Sequence, residues 1–520
     1  MKVIKPNILP STDGSITRST AATYFDKDLL LKSAAINEVR FNYNYTTGDF
    51  EGVMIENAST NLLTYSEDLW DTTKWSVGST LANFFTVTSE GTLPSPKGTT
   101  GNVAKFVFNS TAGLFLRKSG LSLPVGDYSA SIFIYIPVQV GVNSVLIQCD
   151  FNDVDATTNI SVSKFGKWVR VLVPKKTINT ARQQLDYNIF VNGVNPPVGF
   201  TFYAFGAQLE SGNHTSYITS GASATLRAAE VVTGAGLMYS SATDSNPIWN
   251  SATTYVQNAL VRYNNKIWSS LQSSNTNHPP TSSPTWWIEI GPDNMHAAFD
   301  NQISTVTTAT TTLTFVVRPG NIDSIALINM QAVTAQLVMY DPTAGIVSSK
   351  IAGLSGAEVY DWYQYFFYDP LLIRTQVIFS DLPLYSNALI TIRLQGQTGD
   401  IVSLALAAFG IVENLGGTQY GATAGIVDYS IKETDDFGTV TFVKRNFSKR
   451  LSSQLFLDNS SLNRVTRFLY NLRATPAVWI GSDDPTLEEP TVVYGFYKEF
   501  SIELAYPKSS LCSLEIEGLT

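Results

Sequence analysis

Apolar and polar positions alternate with a period of two through much of the chain. In GDYSASIFIYIPVQV (126–140), Tyr128, Ala130, Ile132, Ile134 and Ile136 fall on one face of an extended segment. KWVRVLVPKK (167–176) sets Val169, Val171 and Val173 against Trp168, Arg170 and Leu172. TFYAFGAQLE (201–210) repeats the pattern with Tyr203, Phe205, Ala207 and Leu209. Successive side chains of a strand point to opposite faces, so each run predicts a half-buried strand, and the Gly, Asn and Pro residues between runs predict turns. Many such strands in series imply an antiparallel sandwich of the jelly-roll kind.

The alternation resumes in TLTFVVRPG, AQLVMYDP, QVIFSDLP and ALITIRLQG, which predicts a second sandwich over 305–412. The aromatic run VYDWYQYFFY (359–368) reads as one of its strands. IVSLALAAFGIV (401–412) is the longest apolar run; it is too short to cross a bilayer and reads as a buried strand pair broken at Gly410. Between about 235 and 300 the texture changes to a Trp- and Asn-rich stretch flanked by Ser/Thr segments, the mark of a small domain between linkers. Within the last block, NSSLNRVTRFLYNLRATP places Leu462, Val465, Leu469 and Leu472 on one helical face. Ser460 or Asn459 can cap that helix and Pro476 forbids its continuation. The strands YGFYKEFSIELAYP (494–507) and SLCSLEIEG (510–518) follow, the latter turning Cys512, Leu514 and Ile516 inward.

Composition supports the same picture. Charged residues make up only 15% of the 520 positions and aromatics 12%, with Ser, Thr, Asn and Gly in place of charge, which suits short strands and polar turns. The fold class expected is mostly β and multi-domain. It comprises a jelly-roll-like module over 1–232 (with an opening segment 1–50), a small aromatic-rich β module over 240–298, a second β-sandwich over 305–412, and an α+β domain over 413–520. The net charge of −9, without any Lys/Arg run, argues against nucleic acid as a partner. Pro6 and Pro10 stand where a secretion signal would need an apolar core, so the reading is a soluble chain made in a cytosol, without membrane insertion.

Little in the chain suggests catalysis. Cys149 and Cys512 lie far apart and read as small buried hydrophobes; His214, His278 and His296 are scattered. No cofactor and no metal are expected. The loop CDFNDVDATTN (149–159) gathers Asp150, Asn152, Asp153 and Asp155 but lacks the glycine and closing glutamate of a calcium loop, and reads as a polar turn. Polysaccharide hydrolysis would need two carboxylates flanking the scissile bond, about 5–10 Å apart. The candidates are Glu358, Asp361 and Asp369, the pair Asp435–Asp436, and the Asp483–Asp484 and Glu488–Glu489 pairs; the last two groups read as solvated turn acids. No catalytic residue is assigned. Asp361 between Tyr360 and Trp362 has the carboxylate-plus-aromatic texture of a sugar contact.

Two resemblances add to this reading. SITRSTAATYFD, GDFEGVMIENASTNLLTYSEDLW and FGAQLESGNHTSYITSGASATLRAAE resemble a jelly-roll module recurrent in bacteriophage tail proteins, across roughly the first 230 residues. Leu226 stands where that family has Thr, and Glu230 where it has Asp. The resemblance implies a closing strand FGAQLE and a chain turned over the sandwich edge by Thr215–Tyr217 and pinned by Ile218. Arg227 and Glu230 would then sit near the opening segment, Arg227 as a structural latch. Trp249, Tyr255, Val261, Tyr263, Ile267–Trp268, Pro279–Pro280 and Trp286–Trp287 resemble the small carbohydrate-binding modules first recognised in chitinases. Aromatic faces can stack on the C–H face of a sugar. Where chitin-binding members carry extra exposed aromatics, this chain has Ser270, Leu271, Gln272 and Ser273. Trp249, Tyr255 and Trp268 therefore read as core, leaving Tyr263, Trp286 and Trp287 as candidate platforms beside Tyr360, Asp361 and Trp362.

The last 200 residues also resemble phage tail and baseplate proteins. Together these features imply a homo-oligomeric tail fibre or baseplate component, assembled in the host cytoplasm and acting from the virion at the host surface. Its partners would be other tail proteins and host cell-surface polysaccharide. The alternative is a purely architectural tail protein; a depolymerase is the third reading.

Overall fold

The structure, a computed structural model, describes residues 1–7, 9, 13–75, 85–111, 114–151, 155–354, 362, 366, 374–434, 440–482, 484 and 487–519. They are mostly strand, with α-helices at Leu462–Asn471 and Glu488–Thr491 among the described residues. Two compact units divide the chain: Ile16–Val232, and Met1–Ser15 together with Thr233–Thr520.

The Ile16–Val232 unit is a sandwich. One sheet runs in the order Leu114–Leu123, Arg182–Val191, Ser144–Asp150, Asp155–Ser161, and the other in the order Trp168–Ile178, Gly126–Tyr135, Thr201–Ser211, Val103–Phe108, Phe85–Glu90. Tyr128, Ala130, Ile132, Ile134 and Ile136 all enter the core between the sheets. The opposite face of the second sheet is covered as well: Phe133, Phe205 and Tyr217 pack with Phe25 and Leu31.

The closing strand departs from simple alternation. Pairing with Gly126–Tyr135 slips between Ser131↔Gln208 and Phe133↔Phe205, which leaves Gly206 in a bulge at φ +60°. Phe202 and Ala204 therefore share the inner face with Ala207 and Leu209, while Phe205 turns to the other side. A Cβ at Gly206 would stand 3.0 Å from the Tyr217 ring and 3.1 Å from that of Phe133, so both φ and space call for glycine. The single apolar face of Tyr203, Phe205, Ala207 and Leu209 read from period two is corrected by this one extra residue.

In the other unit a five-stranded sheet (Gly236–Ser240, Thr312–Arg318, Leu389–Gln395, Thr334–Asp341, Gly345–Gly353) packs on a long sheet. The long sheet's main path runs Gln376–Phe379, Ser324–Gln331, Ile401–Asn414, Lys2–Pro6, Ala477–Ile480, Val492–Glu503, Ser509–Gly518, Phe447–Asp458, Gly417–Thr418. Leu313, Phe315 and Val317 of the first meet Ile325, Leu327, Leu404 and Phe409 of the second. Lys2–Pro6 joins the strands before residue 415 to those after 476, antiparallel to both neighbours, with Val3 and Ile4 fully buried on opposite faces.

Ile401–Asn414 is one continuous strand rather than a pair broken at Gly410. At Gly410 a Cβ would lie 2.4 Å from the Lys5 carbonyl oxygen and 2.7 Å from Ile4 Cγ2, so glycine there admits the N-terminal strand. The aromatic run 359–368 lies largely outside the described residues; Trp362 and Phe366 are helical rather than extended.

The expected helix spans Leu462–Asn471 and buries Val465, Leu469 and the following Leu472. Its N-cap is Ser461 rather than Ser460 or Asn459, and the Ser461 hydroxyl donates to the Asp458 carbonyl instead of capping an amide. Cys149 and Cys512 are free and buried. The small module is a three-stranded sheet of Leu260–Tyr263, Lys266–Ser270 and Trp287–Pro292, with Asn264 and Asn265 both at positive φ in its first turn.

Candidate functional site

The sequence motifs of the Ile16–Val232 unit converge on a buried polar knot. Glu230 Oε1 accepts from Arg18 at 2.9 Å and lies 2.6 Å from Arg40 Nη2, while its Oε2 lies 3.4 Å from Arg227. Arg40 also bridges to Glu56 at 2.8 Å, and Arg227 lies 3.6 Å from the same carboxylate. Burial alone would push the Glu56 carboxyl up, but Arg40, Arg227 and the Ser216 hydroxyl outweigh it and hold the group below its ordinary range. Burial lowers the affinity of Arg227 for its proton. The latch placed by Arg227 and Glu230 against the opening segment is thus a cluster of three guanidiniums and two carboxylates.

The neighbouring motif works through neutral groups. Asn61, fully buried, donates its amide to the carbonyls of Ala207 and Ile218 and accepts from the backbone N–H groups of Leu63 and Leu209. Gln208 accepts from Ile218 N–H at 2.6 Å and donates to Ser216 O. Glu210 accepts from Ser59, from the Thr215 amide and from the Thr215 hydroxyl. Tyr217 reaches Ser66 at 2.9 Å. Each of these acids and amides faces a partner within the unit.

Within the small module Tyr255, Val261, Trp268 and Trp287 form the core. Trp287 is 2% exposed, and its indole N–H donates to His278 O, so it cannot offer a face to a ligand; that candidate is corrected. Trp286 is half-buried and stacks on the His278 ring at 3.9 Å and 10°, which covers one of its faces. Tyr263 is half-buried and meets Trp249 edge-on at 5.4 Å. Tyr360 and Asp361 lie outside the described residues, as do Glu358, Asp369, Asp435, Asp436, Asp483, Asn152 and Asp153. Trp362 is exposed and stacks with Phe366 at 6.3 Å. Trp249, Tyr263 and Trp286 are thus the partly buried rings of the module, Trp249 lying at the edge of the core that it was read as joining.

A concavity lies elsewhere in the same unit. A cleft of about 590 Å³ has a floor of Ile328, Val492, Val493, Tyr494 and Leu519 and walls that carry Asn329, Thr375, Gln376, Lys444, Arg445, Asn446, Phe447, Lys449 and Glu489. The floor comes from the long sheet; the walls come from the end of Ser324–Gln331, the start of Gln376–Phe379, the segment that enters Phe447–Asp458 and the Glu488–Thr491 helix. Burial pushes Tyr494 to about 12, and its hydroxyl donates to Asn301 O.

Glu489 accepts from the Thr375 hydroxyl at 2.8 Å and pairs with Lys449 at 3.3 Å. The adjacent Glu488 pairs with Arg374, although burial raises its carboxyl overall. Glu488 is half-buried against Arg374, a correction to its reading as a solvated turn acid, whereas Glu489 is exposed as read although it has partners. Sequence inspection missed the cleft because its walls come from residues more than 100 positions apart. The exposed run Lys444–Phe447 was its one local signal.

No family model matches the chain, and no curated protein matches it. Solved structures do match, at low similarity. The CBM22-1–GH10 modules of Clostridium thermocellum endo-1,4-β-D-xylanase 10B, complexed with xylohexaose, are 15% identical over 32% of this chain and 30% of that one, with a TM-score of 0.21. The present chain therefore spans about 30% of that protein's length. The N-terminal CBM22-1–CBM22-2 tandem domain of Paenibacillus barcinonensis Xyn10C is 9% identical over 69% of this chain and 98% of that one, with a TM-score of 0.22. An allantoicase is also 9% identical, with a TM-score of 0.13. At these scores the matches assign the chain neither a family nor a ligand. The class that the fold itself defines is a multi-domain β-sandwich protein.

Proposed function

We propose that this protein is a glycan-binding component of a bacteriophage tail, in a fibre or baseplate, and that the 590 Å³ cleft holds the glycan. The observation that carries the glycan reading is the lining of that cleft. An apolar floor, an exposed Phe447 and amides from Asn329 and Asn446 are what a sugar, with its C–H faces and hydroxyl edges, requires of a site. The tail assignment is supported by the sequence motifs: among the residues that carry the resemblance, Arg18, Glu56 and Arg227 meet in the charged knot, and Asn61 and Gln208 in the neutral network beside it. Copies on a symmetric tail would turn a weak site into firm adhesion through avidity. Binding without catalysis is part of the proposal. Among the described lining residues Glu489 is the one carboxylate, and glycoside hydrolysis uses two.

A second reading, architectural packing within the tail, is favoured by a separate observation. The hairpin of Ile431–Thr434 and Val440–Val443 pairs only with itself among the described residues and leaves Phe442 73% exposed. A lone two-stranded hairpin is marginal in water and gains from a neighbour.

The test is binding of the full-length protein to a panel of purified bacterial surface polysaccharides, with reducing ends followed over time. Binding without new reducing ends, weakened by Phe447→Ala, supports the proposal. Released reducing ends would make the protein a depolymerase. A folded oligomer that binds none of the panel would favour the architectural reading.

A further inference from the structure

We infer that the cleft selects an acidic saccharide, a sugar bearing a carboxylate; this rests on the reading of the cleft as a glycan site. The chain as a whole carries a net charge of −9, yet three of the residues that wall the cleft are cations, Lys444, Arg445 and Lys449, against the single acid Glu489. Lys449 is already committed. Its ammonium donates to the Glu489 carbonyl at 2.8 Å and pairs with that residue's carboxylate at 3.3 Å, so the two charges cancel inside the wall.

Lys444 and Arg445 are exposed at the rim, and neither has a salt bridge among the described residues. The Asp428 carboxyl, held low first by hydrogen bonds from Ser430, also feels Lys444, which leaves Arg445 as the least compensated cation. Guanidinium presents a planar fork of donors that matches a carboxylate in two bonds at once. Phe447, 53% exposed and two positions on, lines the same cleft and offers a ring face there.

The arrangement therefore supplies both halves of recognition for one sugar unit: a stacking face for the ring and a charged fork for its carboxylate. It also gives the charge pattern a purpose. A protein of this net charge repels an acidic polymer at long range, so a local cationic rim is what admits one.

Calorimetric titration of the protein with tetragalacturonic acid, neutral cellotetraose and a sulfated, carboxylate-free carrageenan-derived tetrasaccharide tests the inference. Tetragalacturonic acid is expected to bind at least about ten-fold tighter than cellotetraose, with affinity falling as salt rises. The double variant Lys444→Gln/Arg445→Gln should lose that preference while changing cellotetraose binding by less than about two-fold, and Arg445→Lys should retain part of it. Phe447→Ala should weaken both ligands. Equal affinity for acid and neutral tetrasaccharides, with Phe447→Ala weakening both, overturns the acidic inference and leaves the glycan site standing. Equal or tighter binding of the sulfated ligand overturns selection of a carboxylate. Failure of all three to bind, with the wild-type melting transition intact, overturns the inference together with the glycan reading of the cleft.

Discussion

Replacing Glu230 by Gln would test whether the buried charge cluster closes the Ile16–Val232 sandwich. The substitution keeps the shape of the side chain and removes the one carboxylate that faces Arg18, Arg40 and Arg227 together. Side chains of Arg18, Arg40 and Glu230 are between 0% and 2% exposed, so water does not screen the change. In the wild-type cluster three guanidiniums face two carboxylates; the variant leaves Arg40 and Arg227 against Glu56 alone and takes from Arg18 its carboxylate in the cluster. Breaking a buried pair by removal of one partner costs about 3–5 kcal/mol. For a unit of this size each kcal/mol lowers the melting temperature by about 2–4 °C, so the expected fall is roughly 6–20 °C.

Urea unfolding followed by hydrogen exchange and mass spectrometry reads the unit separately, because its peptides come from 16–232. Arg227→Met, placed on top of Glu230→Gln, supplies the control. Arg227 Nε has no hydrogen-bond partner, so this guanidinium has the least to lose, and its removal from the charge-depleted cluster should restore part of the stability. A loss under about 1 kcal/mol for Glu230→Gln, the scale of a surface pair, would refute the reasoning. So would strictly additive losses in the double variant.

Three further outcomes follow from the same structure. Asn61→Ala should cost about 3 kcal/mol or more in the Ile16–Val232 unit, since it strands the carbonyls of Ala207 and Ile218 and the amides of Leu63 and Leu209; a chemical denaturation curve checks it. Gly410→Ala should release Lys2–Pro6 from the long sheet, seen as fast exchange of the amides of residues 3–5, because the new methyl would overlap the Lys5 carbonyl. His296 bonds Asp293 at 2.6 Å and Asp13 at 3.0 Å; burial opposes its charge, but the two acids raise it to about 9. A raised value means the ion pairs contribute fully below about pH 6.5 and fade as pH climbs through about 9. The stability advantage of wild type over His296→Gln, at most about 3 kcal/mol, should therefore vanish between pH 7 and 10 in a series of denaturation curves.

The mostly-β fold class was legible from local pattern, where residues act on near neighbours. Period-two runs such as 126–136 bury as read because a strand's geometry forces alternate side chains to one face. The helix at 462–471 and the burial of both cysteines were legible for the same reason. The latch was legible too, since Arg227 and Glu230 lie within one motif and the topology of a sandwich returns its last strand to its first segment.

Tertiary structure alone decided three matters. One residue of bulge at Gly206 exchanged the faces of Tyr203 and Phe205 relative to Ala207 and Leu209, and a slip of one position leaves no trace in composition. The strand Lys2–Pro6 took its place between segments more than 390 positions away, where it is buried on both faces and so shows no alternation to read. The cleft was decided the same way. Its floor and rim come from stretches near 328, 375, 445, 490 and 519, and only the pairing order of the long sheet sets an exposed Lys–Arg–Asn–Phe run over an apolar floor. Local pattern fixes which side of a strand is greasy; which strands become neighbours is settled by long-range packing, and the candidate site lies at that junction.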